Sequence, residues 1–230
     1  MEWRDEGAVL SVRAHGETSA IVEVFTRGHG RHAGVVRGGA SRRMAPVLQP
    51  GAQVQVGWRA RLGEHIGSFA VEPLRVRAGL MADGGRLAAL TSACALLRLA
   101  LPERQAHAAL WVDTVALFDL LEGGAEWAPA YLRWEVRLLE DLGFGLDLAS
   151  CAVTGATEGL AFVSPRSGRA VSRAGAGAWA DRLLPLPACM IGDARPAPGD
   201  LAAGLALTGH FLARGLAPVQ AGRSLPEARA

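Results

Sequence analysis

Gln53-Val54-Gln55-Val56-Gly57-Trp58-Arg59-Ala60-Arg61 alternates without a break: Val54, Val56, Trp58 and Ala60 fall on one side, and Gln53, Gln55, Gly57, Arg59 and Arg61 on the other. A period of two belongs to a strand with one face in a core and one in solvent. The solvent face here carries arginine. Working outward, residues 8–13, 20–26, 33–37 and 66–71 are further short apolar segments rich in Val or Ile, separated by Gly, Pro, Ser or His clusters, the punctuation expected between strands. Five strands in the first 80 residues predict a small closed barrel. Gly28-His29-Gly30 predicts a hairpin turn between the second and third strands, because glycine accepts positive φ at no steric cost. Residues 38–50 read as a basic loop.

Beyond residue 80 the period lengthens. Residues 86–101, 105–121 and 129–142 repeat apolar side chains every three or four positions and stop at Pro102, at Gly123-Gly124 and at Gly143, which predicts three helices. In the third, Leu132, Val136, Leu139 and Leu142 form the expected apolar stripe, with Pro129 in the first turn and Gly143 past the end. Residues 148–172 are turn-rich and predict a small non-helical insertion. Residues 177–184 and 200–215 return to helix on either side of Pro196-Ala197-Pro198-Gly199. The expected architecture is α+β and multidomain: a barrel over residues 1–80, then a helical domain over 81–230 interrupted at 148–172.

The 230 residues hold 24 basic and 22 acidic side chains, a net charge of +2, and every basic residue is Arg. That balance hides a polarity along the chain. Residues 1–80 carry eleven Arg against seven acids, residues 81–150 five against ten, and residues 151–230 eight against five. No acid lies between Glu23 and Glu64, while Arg27, Arg31, Arg37, Arg42, Arg43, Arg59 and Arg61 all do. Such a block is the footprint expected for a polyanionic partner, and these seven arginines are the candidate nucleic-acid contacts.

Other chemistries are weakly signalled. No apolar stretch reaches the roughly 20 residues of a membrane-spanning helix, and the charged start Glu2-Trp3-Arg4-Asp5-Glu6 has no apolar leader core, so a cytoplasmic protein without a membrane partner is expected. Cys94, Cys151 and Cys189 are odd in number and widely spaced, which suits a reducing compartment and supplies no metal site of close ligand pairs. His29 and His32 lie together, but no Cys or carboxylate follows at ligand spacing, so a turn with phosphate contacts is expected there rather than a metal. No P-loop, GxSxG or HExxH motif occurs. Of the aromatic residues in the first third, Phe25 and Trp58 sit at core positions of the alternation, so backbone contacts are expected to outweigh base stacking.

Several motifs carry a resemblance. His15-Gly16-Glu17-Thr18-Ser19, Val24-Phe25-Thr26-Arg27-Gly28-His29-Gly30-Arg31, Val36-Arg37-Gly38-Gly39-Ala40 and Leu48-Gln49-Pro50 resemble, in order, the N-terminal motifs of the RecO family of bacterial DNA repair and recombination mediators. Arg133-Trp134-Glu135-Val136-Arg137-Leu138-Leu139 with Leu142-Gly143-Phe144-Gly145 is similar to the family's central helix and its exit, and Cys151 to Gly155 and Val163-Ser164-Pro165-Arg166-Ser167-Gly168-Arg169 to its C-terminal half. The resemblance implies an N-terminal OB-fold, a helical domain and no enzymatic turnover or cofactor. It also implies binding of single- and double-stranded DNA, annealing of complementary strands, and action with RecR to help load RecA onto DNA coated by single-strand-binding protein, in the nucleoid. Some members carry four cysteines as a zinc site in the insertion. Only Cys151 stands near that place, so residues 148–172 would be a degenerate zinc knuckle. Arg133 and Arg137, beside Trp134, are the candidates for the acidic, apolar C-terminal tail of single-strand-binding protein, with an ion pair to Glu140 or Asp141 as the alternative use. An OB-fold RNA-binding or translation-associated factor is the second reading, and an enzyme with dispersed catalytic residues the third.

Overall fold

A computed structural model describes residues 1–124, 126–220 and 225–226. Five strands close a barrel in the order β1-β2-β3-β5-β4: β1 (Glu2–His15), β2 (Ser19–Thr26), β3 (Gly30–Val36), β4 (Gln53–Arg59) and β5 (Ser68–Arg75). This is the five-stranded barrel expected, with a first strand much longer than its alternating stretch. The reason is that β1 serves two partners. Its first half pairs with β4 from Glu2 opposite Arg59 to Ala8 opposite Gln53, and its second half pairs with β2 as far as His15 opposite Ser19, through a bulge between Val9 and Ser11. Bulges of this kind bend and twist a strand. The barrel closes where Val35 of β3 meets Ser68 of β5 in parallel.

The inward residues are those of the alternation: Val22, Val24, Val54, Val56, Trp58 and Phe69 are all buried in one cluster. Residues 38–50 are the loop expected, and it packs on the barrel. Leu48 is buried in that cluster, and Met44 and Val47 pack against it. Their backbone is held by bonds from the Ala45 and Leu48 N–H groups to Ser41 and Met44 carbonyls, at 3.0 and 2.9 Å.

Two helices follow, α1 (Gly84–Ala100) and α2 (Ala108–Gly123). Asp83 caps α1 by accepting from the Arg86 N–H at 3.1 Å, satisfying one of the orphan donors of the first turn. Strands give way to helices near residue 80, but contacts divide the chain further on, into Met1–Gly123 and Gly124–Leu225. Arg77 shows why the first two helices go with the barrel. Its side chain is 2% exposed and reaches Asp119 of α2. It also donates to the Gly51 carbonyl at 2.6 Å and to Gln53 at 3.2 Å, and its guanidinium lies 5.8 Å from the Phe118 ring centre. Arg75 joins Asp119 at 2.9 Å and Glu122 at 2.6 Å.

The second unit is built on α3 (Ala128–Asp141) and α5 (Asp200–Gln220). They approach closely at Gly204, where a Cβ would lie 2.5 Å from Leu132, and Thr208 of α5 donates to the buried Glu135 of α3. The buried face of α3 is Tyr131, Leu132, Trp134, Glu135, Leu138 and Leu139. Val136 and Leu142 of the expected stripe are only partly covered, because a carboxylate with a buried hydroxyl partner takes a core position that composition assigns to solvent. Residues 148–172 contain two strands, β6 (Leu160–Val163) and β7 (Ala170–Ser172), in a three-stranded sheet completed by β8 (Leu184–Pro185). The helix expected at 177–184 is replaced by one α-turn, α4 (Arg173–Ala176), a 3₁₀ stretch and β8. Gly177, at φ +47°, stops the α-turn, and Leu184 then pairs with Val163. Among the described residues no helix is long and apolar enough to cross a membrane.

Asp119→Ala leaves the buried Arg77 charge without its carboxylate, and because Asp119 is itself 40% exposed the cost is about 2 kcal/mol, below that of breaking a fully buried pair. Urea denaturation followed by circular dichroism should show that loss, and a change under about 0.5 kcal/mol, the size of an ordinary surface substitution, would deny Arg77 this role. His32, 3% exposed, lies 4.8 Å from Trp58 and 5.1 Å from Trp3 between ring centres. Burial lowers its pKa from 6.5, against the opposing bond to the Ala33 carbonyl. The neutral ring is therefore the folded form, so its contribution to stability is complete above 6.5 and is lost as pH falls through the lowered value. The urea midpoint should drop more for wild type than for His32→Leu between about pH 7.5 and about pH 5.5; equal drops would remove His32 as the cause.

Candidate nucleic-acid interface

The seven candidate arginines divide according to what already holds them. Arg31, on the outer face of β3, is 16% exposed and contacts Glu23 at 3.1 Å and Glu103 at 3.5 Å, while its Nε donates to the Leu101 carbonyl at 2.9 Å. The connection after α1 runs along β3 here, with the Arg104 N–H donating to the Arg31 carbonyl at 2.8 Å. Glycine is required opposite it. Gly30 has φ +66°, and a Cβ there would meet the Gln105 carbonyl oxygen at 1.8 Å. Burial alone would raise the Glu23 carboxyl, but Arg98 and Arg31 together hold it below its ordinary value. Arg31 thus serves the fold, and we take it out of the contact set.

Arg59 is also paired, to Glu2 at 2.8 Å, but both side chains are mostly in solvent. An exposed pair of this kind is worth about 0–1 kcal/mol, so a phosphate can compete for Arg59 at little cost. Arg59 and Arg37 share a cleft of about 440 Å³ on the outer side of β4 and β5, walled by Gly57, Ser68 and Ala70. Arg27, Arg37, Arg42, Arg43 and Arg61 are exposed, and none has a side-chain partner among the described residues. Arg42 and Arg43 stand on the turn whose other side, Met44 to Leu48, packs into the barrel.

One candidate is not visible in the sequence. Arg13 of β1 lies opposite Ile21 of β2, and Ile21 lies opposite Val35 of β3. Directly paired residues point to the same face of a sheet, so Arg13 stands beyond β2 from Val35 and, two positions on, Arg37. Arg13 is exposed and has no side-chain partner among the described residues. Glu17 and Glu23 separate it from the acid-free block in sequence, and only strand pairing brings it alongside. Arg27 is set apart. It follows Thr26, opposite Gly30, whereas Arg37 follows Val36, opposite Ala20. Six residues of strand separate these ends, about 20 Å at roughly 3.3 Å per residue.

The histidines do not form the phosphate-binding turn expected of them. His32 is buried, and His29 stacks on Trp3 at 4.1 Å and 7° with its Nδ1 2.9 Å from Asp5. Burial works to raise the Asp5 carboxyl, but His29 and the Gly28 and Glu6 N–H groups hold it below its ordinary value. The carboxylate partner comes from β1, before the histidines in sequence. Phe25 and Trp58 are both buried; Trp58 points into the barrel as its alternation indicates, whereas Phe25 pairs with Arg31 on the outer face of the sheet and is covered there.

In the second unit Trp134 is buried. Arg133 donates to the Cys189 and Gly192 carbonyls, both at 3.1 Å, and Arg137 pairs with Glu140 at 2.7 Å. Cys94, Cys151 and Cys189 are free thiols. The Cys151 sulfur accepts from the Ser172 hydroxyl at 3.3 Å, from the Ser172 N–H at 3.2 Å and from the Thr154 N–H at 3.4 Å. These bonds lower the thiol to about 6. Among the described residues no three His, Cys, Asp or Glu side chains gather as a metal-ligand set.

Comparison with known proteins covers both units. The family model "Recombination protein O N terminal" matches residues 1–77, and "Recombination protein O C terminal" matches residues 81–221. The chain is 63% identical over 230 residues to a DNA repair protein RecO of Cereibacter sphaeroides, covering all of this chain and 96% of that protein. It is 59% identical over 231 residues to the DNA repair protein RecO of Dinoroseobacter shibae, again over the whole chain and 95% of the relative. The RecO protein of a Jannaschia species is 58% identical over 230 residues, all of this chain and 93% of that protein.

Proposed function

The chain belongs to the RecO family of DNA repair and recombination proteins, and we propose that it binds single- and double-stranded DNA through the arginine-bearing outer side of its barrel and anneals complementary strands. The reading rests above all on one observation: Arg13, Arg37, Arg42, Arg43 and Arg61 are exposed cations without carboxylate partners among the described residues, on a barrel whose residues 24–63 contain no acid. Guanidinium groups placed in this way track phosphates and ignore base identity. Annealing follows because two complementary strands repel until their phosphates are screened, and screening by backbone contacts leaves the base edges free to pair. No covalent step is involved, so the protein acts as a mediator and not as an enzyme.

Action with RecR to help load RecA onto DNA coated by single-strand-binding protein, in the nucleoid, is part of the proposal and is supported by family membership alone. For the tail of single-strand-binding protein the candidates are Arg133, which donates to two carbonyls, and Arg137, which pairs with Glu140.

Each lost phosphate contact on a single strand lowers the slope of log affinity against log salt by about 0.7. Arg37→Ala/Arg42→Ala/Arg43→Ala should therefore lower that slope by about 2 and slow annealing of strands coated by single-strand-binding protein. Arg31→Ala should lower the melting temperature and leave the slope unchanged. Unaltered annealing by the triple variant, or tighter binding of RNA than of DNA at equal length, would refute the reading.

A further inference from the structure

The second unit contains a cleft that the barrel reading does not use. Three segments form it: the turn leaving α3 from Gly143 to Leu146, the turn between β6 and β7 from Arg166 to Gly168, and α5 from Phe211 to Gly215. Its volume is about 280 Å³. The Phe144 ring is the floor at one end. It lies over the backbone of Gly215, where a Cβ would come within 2.6, 2.8 and 2.9 Å of three ring atoms. One face of the ring is therefore covered by α5. Phe144 is nonetheless 44% exposed, and it lines the cleft.

Two cations border this ring. Arg214 is held in place, its Nη1 donating to the Arg166 carbonyl at 3.0 Å and to the Pro165 carbonyl at 3.4 Å. Its Nε and Nη2 donors have no partner among the described residues. Arg166 is exposed, and its guanidinium likewise has none. No carboxylate lines the cleft, and the nearby Asp147 is already joined to Arg169 at 3.3 Å. An exposed aromatic ring in one cleft with a held and an unpartnered guanidinium matches a planar base carrying a phosphate.

We infer that this cleft binds a nucleotide of single-stranded DNA, with its base on Phe144 and its phosphate between Arg166 and Arg214. An acidic peptide shares the charge but fits the lining less well. Peptide anchors are buried in apolar pockets, whereas here arginines, Ser167 and glycine backbone outnumber Phe144, Leu146 and Phe211. Bases, in contrast, stack on open aromatic faces whatever their identity. The inference rests on the DNA-binding reading and extends it. Annealing requires two strands at once, and the second unit supplies a contact of its own for one of them.

The test uses the full-length chain with a thymidine-rich oligonucleotide carrying 5-iododeoxyuridine, photo-cross-linked and mapped by mass spectrometry, with total binding followed by fluorescence anisotropy. Wild type should give adducts in residues 143–146 or 211–215. Arg166→Glu should lower their yield about tenfold, the effect of losing roughly 1.4 kcal/mol of binding, while anisotropy still reports binding to the barrel. Adducts confined to residues 1–80, or second-unit adducts that persist in Arg166→Glu, overturn the cleft and leave the barrel reading intact. Absence of salt-dependent binding in wild type overturns the barrel reading instead. Saturation of the cleft by an acidic, aromatic-ended peptide, with no oligonucleotide adduct there, assigns it to a peptide and overturns the inference.

Discussion

A guanidinium has five donors and one charge that it cannot give up, and the structure depends on where those donors are spent. Arg77 turns them inward, where its two terminal nitrogens find partners and its Nε has none among the described residues. With its side chain 2% exposed and its charge matched by Asp119, it holds the carbonyl of Gly51, the amide of Gln53 and the second helix in one place. A charge so far from water is tolerable only when paired and hydrogen-bonded. The position of α2 against the barrel is thus fixed by electrostatics as much as by apolar contact.

The same rule separates the arginines of the barrel surface. Arg31 has two carboxylates and a carbonyl within reach and little exposure to water. Arg59 has one exposed carboxylate that water screens. Arg37, Arg42 and Arg43 have none among the described residues. These side chains look alike in sequence, and their availability to a phosphate falls in the reverse order of their local pairing. An acid-free run in sequence does not guarantee acid-free surroundings in space, because Glu23 and Glu103 arrive at Arg31 from β2 and from the connection after α1.

The second unit repeats the arrangement on a smaller scale. Arg133 is spent on carbonyls and Arg169 on Asp147, whereas Arg166 has no partner among the described residues. Cys151 follows a related logic. Its sulfur is surrounded by N–H and O–H donors from Ser172 and Thr154, which stabilise a thiolate by the ordinary route of hydrogen bonding to the charged form.

The alternation at Gln53–Arg59, the glycine hairpin and the three- and four-residue repeats after residue 80 were enough to determine a five-stranded barrel followed by helices, because period and turn chemistry are local properties of the chain. The same holds for the core role of Trp58 and for the basic character of the first 80 residues, whereas Phe25 lies on the outer face of the sheet with Arg31 and is buried only by what packs over it. The sheet that β6 and β7 begin within residues 148–172 and β8 completes was not legible, since β7 and β8 are only three and two residues long and exist by pairing. Nor was the buried face of α3, where Glu135 is covered because Thr208, 73 positions away, donates to it. Tertiary structure alone decided that Arg13 joins the surface, that Arg31 leaves it and that Arg27 stands apart. Each of those outcomes depends on partners brought together by strand register and connection path, and charge in a sequence carries no record of its neighbours in space.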